Sequence, residues 1–426
     1  MSVRSIAKEN VFRLALIVTS LSLTLGALEI AARILRASRS GGKEQAESDR
    51  YIEYDPLLGW RKRPGARLLY DRAEYRVEVA INSLGLRGSE RGYSRPPGVQ
   101  RILAVGDSYV EAYSVSEERT FVRLLESSLR LEGYAVEILN GGTRGYATDQ
   151  EYLFYLTEGA RYSPSIVLLF FYYNDVFYND RQFYFGMRKP IFELGTGTLR
   201  LHRYPVPTPQ PRAEREPDKG EDDEASKDAS GSALLEWAKE RLWYSAPSVY
   251  DRLGRFGLWE PMPRVTARLE LGVYQRRHVP EIEDAWVKTT RLLEAFDRAV
   301  RARGARLLIV GIPSFMEVDD GSWALSSALY GFDDSGWDRE LAMKRLVAIG
   351  RGLRVPVLDL TPALRRSNRW FRKAYYPRDG HLNARGHAAV ARELQRFLEE
   401  NHCLRDLPSS RPVFIEPTEI ELASQR

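Results

Sequence analysis

The chain has 426 residues, 43% of them hydrophobic and 28% charged, with a formal net charge of +5. That is enough apolar sequence for one large domain with insertions or for two domains. The mild positive balance carries no dense Lys/Arg stripe and no RNA-binding aromatic signature, so nucleic acid is not the expected partner. The single cysteine, Cys403, excludes an intramolecular disulfide and a Cys-rich zinc site.

In chain order, the first element is an apolar run. Leu14 to Leu28 contains no charged residue, and the apolar character continues to Leu35, interrupted by Glu29 and Arg33. Those two are spaced to pair on one helix face. A helix from Leu14 to Leu35 would span roughly 33 Å at about 1.5 Å per residue, which predicts a membrane anchor over residues 1–35. No small-residue cleavage site follows, so the anchor is expected to be retained; the remainder of the chain is expected outside the cytoplasm. Lys and Arg flank both ends and do not decide the orientation. A buried or interfacial helix is the alternative.

Residues 36–50 read as a polar tether and residues 51–99 as a small β-rich lead-in. Short runs rich in Val, Ile, Leu and Phe at 101–105, 135–139, 165–173, 306–312 and 355–360 predict strands buried on both faces. Helical patterns lie between them: Thr120 to Leu131, Asp284 to Arg303, Arg339 to Gly352, and a last helix from after Asn383 to about Asn401. This alternation predicts a three-layer α/β/α domain over 100–402 with a parallel sheet of about five strands. Residues 176–283 interrupt the rhythm as an insertion. Within it, 205–232 is rich in Pro, Asp, Glu, Lys and Ser and reads as a disordered linker. Residues 233–283 read as helical, Trp- and Tyr-rich, and packed over the sheet or lining the site. Residues 403–426 form a tail.

The first predicted sheet strand runs directly into Gly106-Asp107-Ser108. A serine between a strand and a helix is exposed at the edge where parallel sheets carry their chemistry, and the free N–H groups nearby favour developing negative charge. Taken alone, Gly-Asp-Ser is equally a capped turn. Of the five histidines, His381 lies on a loop after the last strand and before the last helix. His202, His278, His387 and His402 fall in the insertion region or in the last helix. Asp379, two residues before His381, can hold the imidazole tautomer. Gly145 and Asn174 follow the second and third sheet strands and could supply oxyanion donors. Four such features after four strands on one edge point to acyl transfer.

These residues resemble the SGNH (GDSL-type) hydrolase superfamily. Gly106-Asp107-Ser108 matches its first block, Asn140 and Gly145 its second, and Asn174-Asp175 its third, with Tyr172 where the family has Gly. Its last block, usually Asp-x-x-His, is shortened here to Asp379-x-His381, similar to the acid–base pair of alginate O-acetylation proteins. The resemblance implies Ser108 as nucleophile, His381 as base and Asp379 as its orienting acid. It implies the N–H groups of Ser108 and Gly145, with the Asn174 amide, as oxyanion donors. It implies an esterase without metal or cofactor, acting on an ester or an acylated glycan or lipid, and tethered at the membrane. Two other readings stand beside it: an O-acyltransferase using the same triad on an envelope polysaccharide, and a catalytically silent glycan- or envelope-binding protein. The sequence does not address oligomeric state.

Overall fold

The computed structural model describes residues 3–37, 50–184, 186–195, 199–208, 232–260, 267–333, 335–369 and 373–404. Most of the predicted tether, of the linker at 205–232 and of the tail lies outside the described residues.

Two antiparallel hairpins come first. Strand β1 (Ile52–Asp55) pairs with β2 (Gly59–Lys62), and β3 (Arg67–Asp71) pairs with β4 (Arg76–Ala80). In β3 and β4 buried and exposed residues alternate, as a half-covered strand requires. Their buried face carries Leu68, Tyr70, Val77 and Val79, and these pack with Tyr51, Tyr75, Ile81 and Tyr113. Tyr113 belongs to the segment after Ser108, so the lead-in is joined to the main domain by its own core.

The main sheet contains β5 (Gln100–Val105), β6 (Val136–Asn140) and β7 (Ile166–Phe171). Strands β8 (Phe183–Tyr184), β9 (Met187–Arg188), β10 (Ile191–Leu194) and β11 (Leu199–His202) form two small hairpins in the insertion. The sheet is completed by β12 (Arg306–Gly311) and β13 (Val357–Asp359). Its order is β13-β12-β7-β5-β6, with every pair parallel.

Period-two alternation sends the two sets of strand side chains to opposite layers. Leu103, Val105, Val167, Leu169, Leu307 and Ile309 face one side. There the helices Thr148–Thr157, Pro280–Arg301 and Leu341–Leu353 cover them. Ile102, Ala104, Ile166, Leu168, Leu308 and Val310 face the other, under the helices Phe121–Leu131, Thr361–Ser367 and Ala384–Glu400. This is the expected three-layer arrangement, with strand boundaries within two residues of those predicted.

The N-terminal helix forms over Val3–Ala37, and the expected Glu29–Arg33 pair is present at 2.7 Å. The anchor itself is not supported. Among the described residues no helix is long and apolar enough to cross a membrane. The run carries Thr19, Ser20, Ser22 and Thr24, and its last third holds the ion pair. Glu29 is also engaged elsewhere. Its carboxylate accepts from the Ser232 hydroxyl at 2.7 Å and from the N–H groups of Ala233 and Leu234 at 2.9 Å, at the start of the helix Ala233–Ser245. An anion is favoured there.

The insertion differs in part from expectation. Its first part, for which the sequence predicts no element, carries the two small hairpins β8–β9 and β10–β11. Its helices Ala233–Ser245 and Pro247–Arg255 pack against the N-terminal helix and the helix Asp320–Tyr330. Residues nearer its start approach the site instead, as described next.

Candidate active site

Strand β5 ends at Val105, and the chain turns through Gly106 and Asp107 into the one-turn helix Ser108–Glu111. A Cβ at position 106 would overlap the Val110 side chain and meet Phe170 at 3.0 Å, so only glycine lets the turn pass beside β7. Asp107 caps the helix by accepting from the Tyr109 N–H at 2.9 Å. Burial pushes its carboxyl up to about 6, partly offset by that hydrogen bond and by the charge of His381. Asn140, at the end of neighbouring β6, donates to the Val110 carbonyl at 2.7 Å and accepts from the Gly142 N–H at 3.1 Å. It fixes the helix behind Ser108 and contributes nothing to the cleft directly.

His381 reaches Ser108 by an indirect route. Strand β13 is at the sheet edge, separated from β5 by β12 and β7. After the helix Thr361–Ser367 the chain returns and folds a short loop closed by a bridge between Tyr375 and Leu382. Tyr376 N–H donates to the His381 carbonyl at 2.8 Å, and Gly380 N–H, at φ +80°, to the Tyr376 carbonyl at 2.8 Å. The loop presents both Asp379 and His381.

There Ser108 Oγ and His381 Nε2 lie 2.8 Å apart, and His381 Nδ1 and Asp379 Oδ1 lie 2.7 Å apart. Asp379 Oδ1 also accepts from the His381 backbone N–H at 3.2 Å. This second bond lets the compact Asp-x-His spacing hold the imidazole from two residues away. The other carboxylate oxygen, Oδ2, accepts from the Tyr75 hydroxyl at 2.8 Å. Burial raises the Asp379 carboxyl, but the bonds from His381 and Tyr75 and the His381 charge outweigh it and hold it below its ordinary value. Burial above all, then the adjacent Tyr113 and Asp379, keeps the Tyr75 hydroxyl protonated, so toward Asp379 it acts as a donor. The imidazole is flanked by Tyr109 and Tyr113, each with its ring centroid 4.9 Å from that of His381.

The expected oxyanion residues sit on either side of Ser108, after the strands flanking β5. Gly145 has φ +77°, and a Cβ there would come within 2.8 Å of the Tyr184 ring. No protein acceptor takes the N–H of Ser108 or of Gly145 among the described residues. Asn174 begins the helix Asn174–Tyr178 at the end of β7, and its side chain is half-buried with no hydrogen-bond partner among the described residues.

Several contributors escape sequence reasoning. Glu74, beside Tyr75 in the turn between β3 and β4, accepts from the backbone N–H groups of Arg378 at 3.1 Å and Asp379 at 2.9 Å. Behind Ser108, buried Lys62 donates to the Gly142 carbonyl, and buried Arg87 to the carbonyls of Glu111 and Val115. Glu111, fully buried, accepts from the Arg144 N–H at 2.7 Å. Only the alternation flanking the Glu74–Tyr75 turn hinted at the first of these. Lone basic residues in strands and loops gave no signal for the rest.

Hydroxyl, imidazole and carboxylate in this order can perform nucleophilic acyl transfer, and no group of three or more metal-ligating side chains is found among the described residues. Comparison with known proteins points the same way. Residues 104–389 match the sequence model of the GDSL-like Lipase/Acylhydrolase family. No curated protein matches the chain. Solved structures similar to it include one described as TesA, at 14% identity and TM-score 0.33, covering 71% of this chain and 99% of that one. A lipase/acylhydrolase from Enterococcus faecalis is similar at 12% identity and TM-score 0.35, covering 71% and 96%. The acetyl xylan esterase AlAXEase is similar at 12% identity and TM-score 0.34, covering 70% and 98%. The family match spans well over half of the sequence, so the chain belongs to the GDSL-like lipase/acylhydrolase family and is an SGNH-type serine hydrolase acting on ester bonds.

Proposed function

We propose that the protein cleaves carboxylic esters in two steps, with Ser108 as nucleophile, His381 as general base and Asp379 as its orienting acid. The observation that carries this is the continuous pair of contacts, 2.8 Å from Ser108 Oγ to His381 Nε2 and 2.7 Å from His381 Nδ1 to Asp379 Oδ1. Ser108 Oγ attacks the ester carbonyl as His381 Nε2 takes its proton. The resulting oxyanion accepts from the N–H groups of Ser108 and Gly145 and from the Asn174 amide, all unengaged by other protein groups among the described residues. Collapse expels the alcohol, which takes the proton from His381 and leaves an acyl-Ser108. Water, deprotonated in turn by His381, attacks that ester, and the acid is released as Ser108 regains its proton. Asp379 remains ionised throughout, in keeping with its lowered carboxyl.

The test is covalent labelling. A serine-directed aryl phosphonate should add one adduct to the full chain, mapped to Ser108 by peptide mass, and Ser108→Ala should add none. Labelling elsewhere, or equal labelling of Ser108→Ala, contradicts the assignment.

A further inference from the structure

Arg144 immediately precedes Gly145, and its guanidinium has no carboxylate partner among the described residues. Among the described residues its one hydrogen bond is from Nη1 to the Tyr70 hydroxyl at 3.1 Å. Its guanidinium carbon lies 5.5 Å from the centroid of the Tyr113 ring, and that ring lies 4.9 Å from the imidazole of His381. One aromatic ring therefore separates this cation from the base. Tyr70 and Tyr113 are buried and stacked on each other at 4.9 Å. Arg144 itself is half-buried, so part of it stays open to solvent.

The surrounding charge is unbalanced. Lys62, Arg87 and Arg144 all face the carboxylate of Glu111, and a further carboxylate beside Glu111, that of Asp107, also faces His381. Arg87 also faces Glu117, but Glu117 is ion-paired with Arg123 at 3.0 Å. Asp379 lies beyond Tyr113 and is engaged by His381 and Tyr75. Burial is severe enough to push Lys62 down to about 8, so the excess of positive charge opposes folding where it stands. An arrangement of this kind attracts an anion, and low-dielectric walls focus the field.

We infer that Arg144 is an anion-binding, specificity-determining residue of the substrate cleft, and that the ester it favours carries a carboxylate close to the scissile bond. This rests on the esterase reading given above. The guanidinium fork has N–H groups left over from Tyr70, and a planar monoanion matches them in a bidentate manner. A single fork, with one arm already bonded, suits a carboxylate better than a phosphate dianion.

The pair 4-acetoxybenzoate and methyl 4-acetoxybenzoate tests this, because the two differ in charge near one acetyl ester. Binding is measured by calorimetry on full-length Ser108→Ala protein, and kcat/KM on the protein with Ser108 intact. The acid should bind Ser108→Ala at least about tenfold more tightly than its methyl ester, the scale of a charge-assisted hydrogen bond. Adding Arg144→Gln should erase that difference, and Arg144→Lys, which keeps the charge but not the fork, should retain part of it. The kcat/KM ratio of acid to ester should fall by a similar factor in the Arg144→Gln enzyme. Equal binding of the two compounds to Ser108→Ala, or a preference that persists with Arg144→Gln, overturns the inference. If Arg144→Gln does not fold, Arg144→Lys decides, and an undiminished preference in it overturns the inference. Turnover of either ester by Ser108→Ala would instead count against the esterase reading, with the binding comparison still deciding the role of Arg144.

Discussion

Tyr75 and Asp379, more than three hundred residues apart in sequence, are joined by a hydrogen bond of 2.8 Å from the tyrosine hydroxyl to Oδ2. That bond occupies the carboxylate oxygen turned away from His381. It ties the β3–β4 hairpin to the carboxylate that contacts His381.

Tyr75→Phe removes this donor and leaves the ring packing in place. The Asp379 carboxylate loses one of the contacts that lower its pKa and is then held through Oδ1 alone. We expect kcat to fall about five- to tenfold, as for loss of one hydrogen bond to a charged group, with KM nearly unchanged. Steady-state kinetics on a small aryl ester read this directly. A change confined to KM would count against an orienting role.

Gly145→Ala should be damaging twice over. The positive φ strains any side chain, and the new methyl would press on the Tyr184 ring at 2.8 Å. Stability should drop by about 1–3 kcal/mol, and kcat should fall through displacement of the N–H. Combining it with Tyr184→Ala relieves the clash and not the strain, so recovery should be partial. Thermal melts and kcat on the single and double variants check both parts.

The two site asparagines should behave in opposite ways. Asn140→Ala leaves the buried Val110 carbonyl without its donor and should cost about 1–3 kcal/mol of stability. Asn174→Ala breaks no side-chain hydrogen bond among the described residues. It should leave the melting temperature near that of the parent while lowering kcat about 100-fold or more, as for loss of one oxyanion donor. If Asn174→Ala left kcat intact, that donor would be struck from the mechanism.

Asp107 gives a pH test with a definite sign. Its carboxyl is raised from 3.8 to about 6 in the folded protein, mainly by burial. Its contribution to stability is therefore full below about pH 3.8 and is lost as pH rises through about 6. Relative to Asp107→Asn, which cannot ionise, the parent should lose on the order of 3 kcal/mol between about pH 4 and about pH 7. Urea unfolding of both proteins across that range measures the difference. A constant gap, or one of opposite sign, contradicts the raised carboxyl.

The sheet was readable because each core strand is an uninterrupted apolar run bounded by turn residues, as in Ile102–Val105 and Ile166–Phe171. The positions of Ser108, Gly145 and Asn174 at one sheet edge were readable because each follows a strand, and parallel strands share one edge. The route by which Asp379 and His381 reach Ser108 was not, because the helix Thr361–Ser367 intervenes between the last strand and their loop. The clasp of Glu74 and Tyr75 was not, since their partners are set by how the lead-in docks, which no local pattern encodes. The surroundings of Arg144 were hidden for a related reason, since its contacts with Tyr70 and Tyr113 also depend on that docking. The membrane anchor expected over residues 1–35 is not shown among the described residues, and the contacts of Glu29 with the helix start at Ser232–Leu234 could not be read from the apolar pattern.

The central claim is that Ser108 and His381 act together on an ester. The most direct measurement is hydrolysis of 4-nitrophenyl acetate by the full chain, its Ser108→Ala variant and its His381→Ala variant, with folding of each checked by circular dichroism. Both substitutions should reduce kcat/KM by about 1,000-fold or more while leaving the fold intact. Activity that depends on Ser108 but survives His381→Ala would contradict the account.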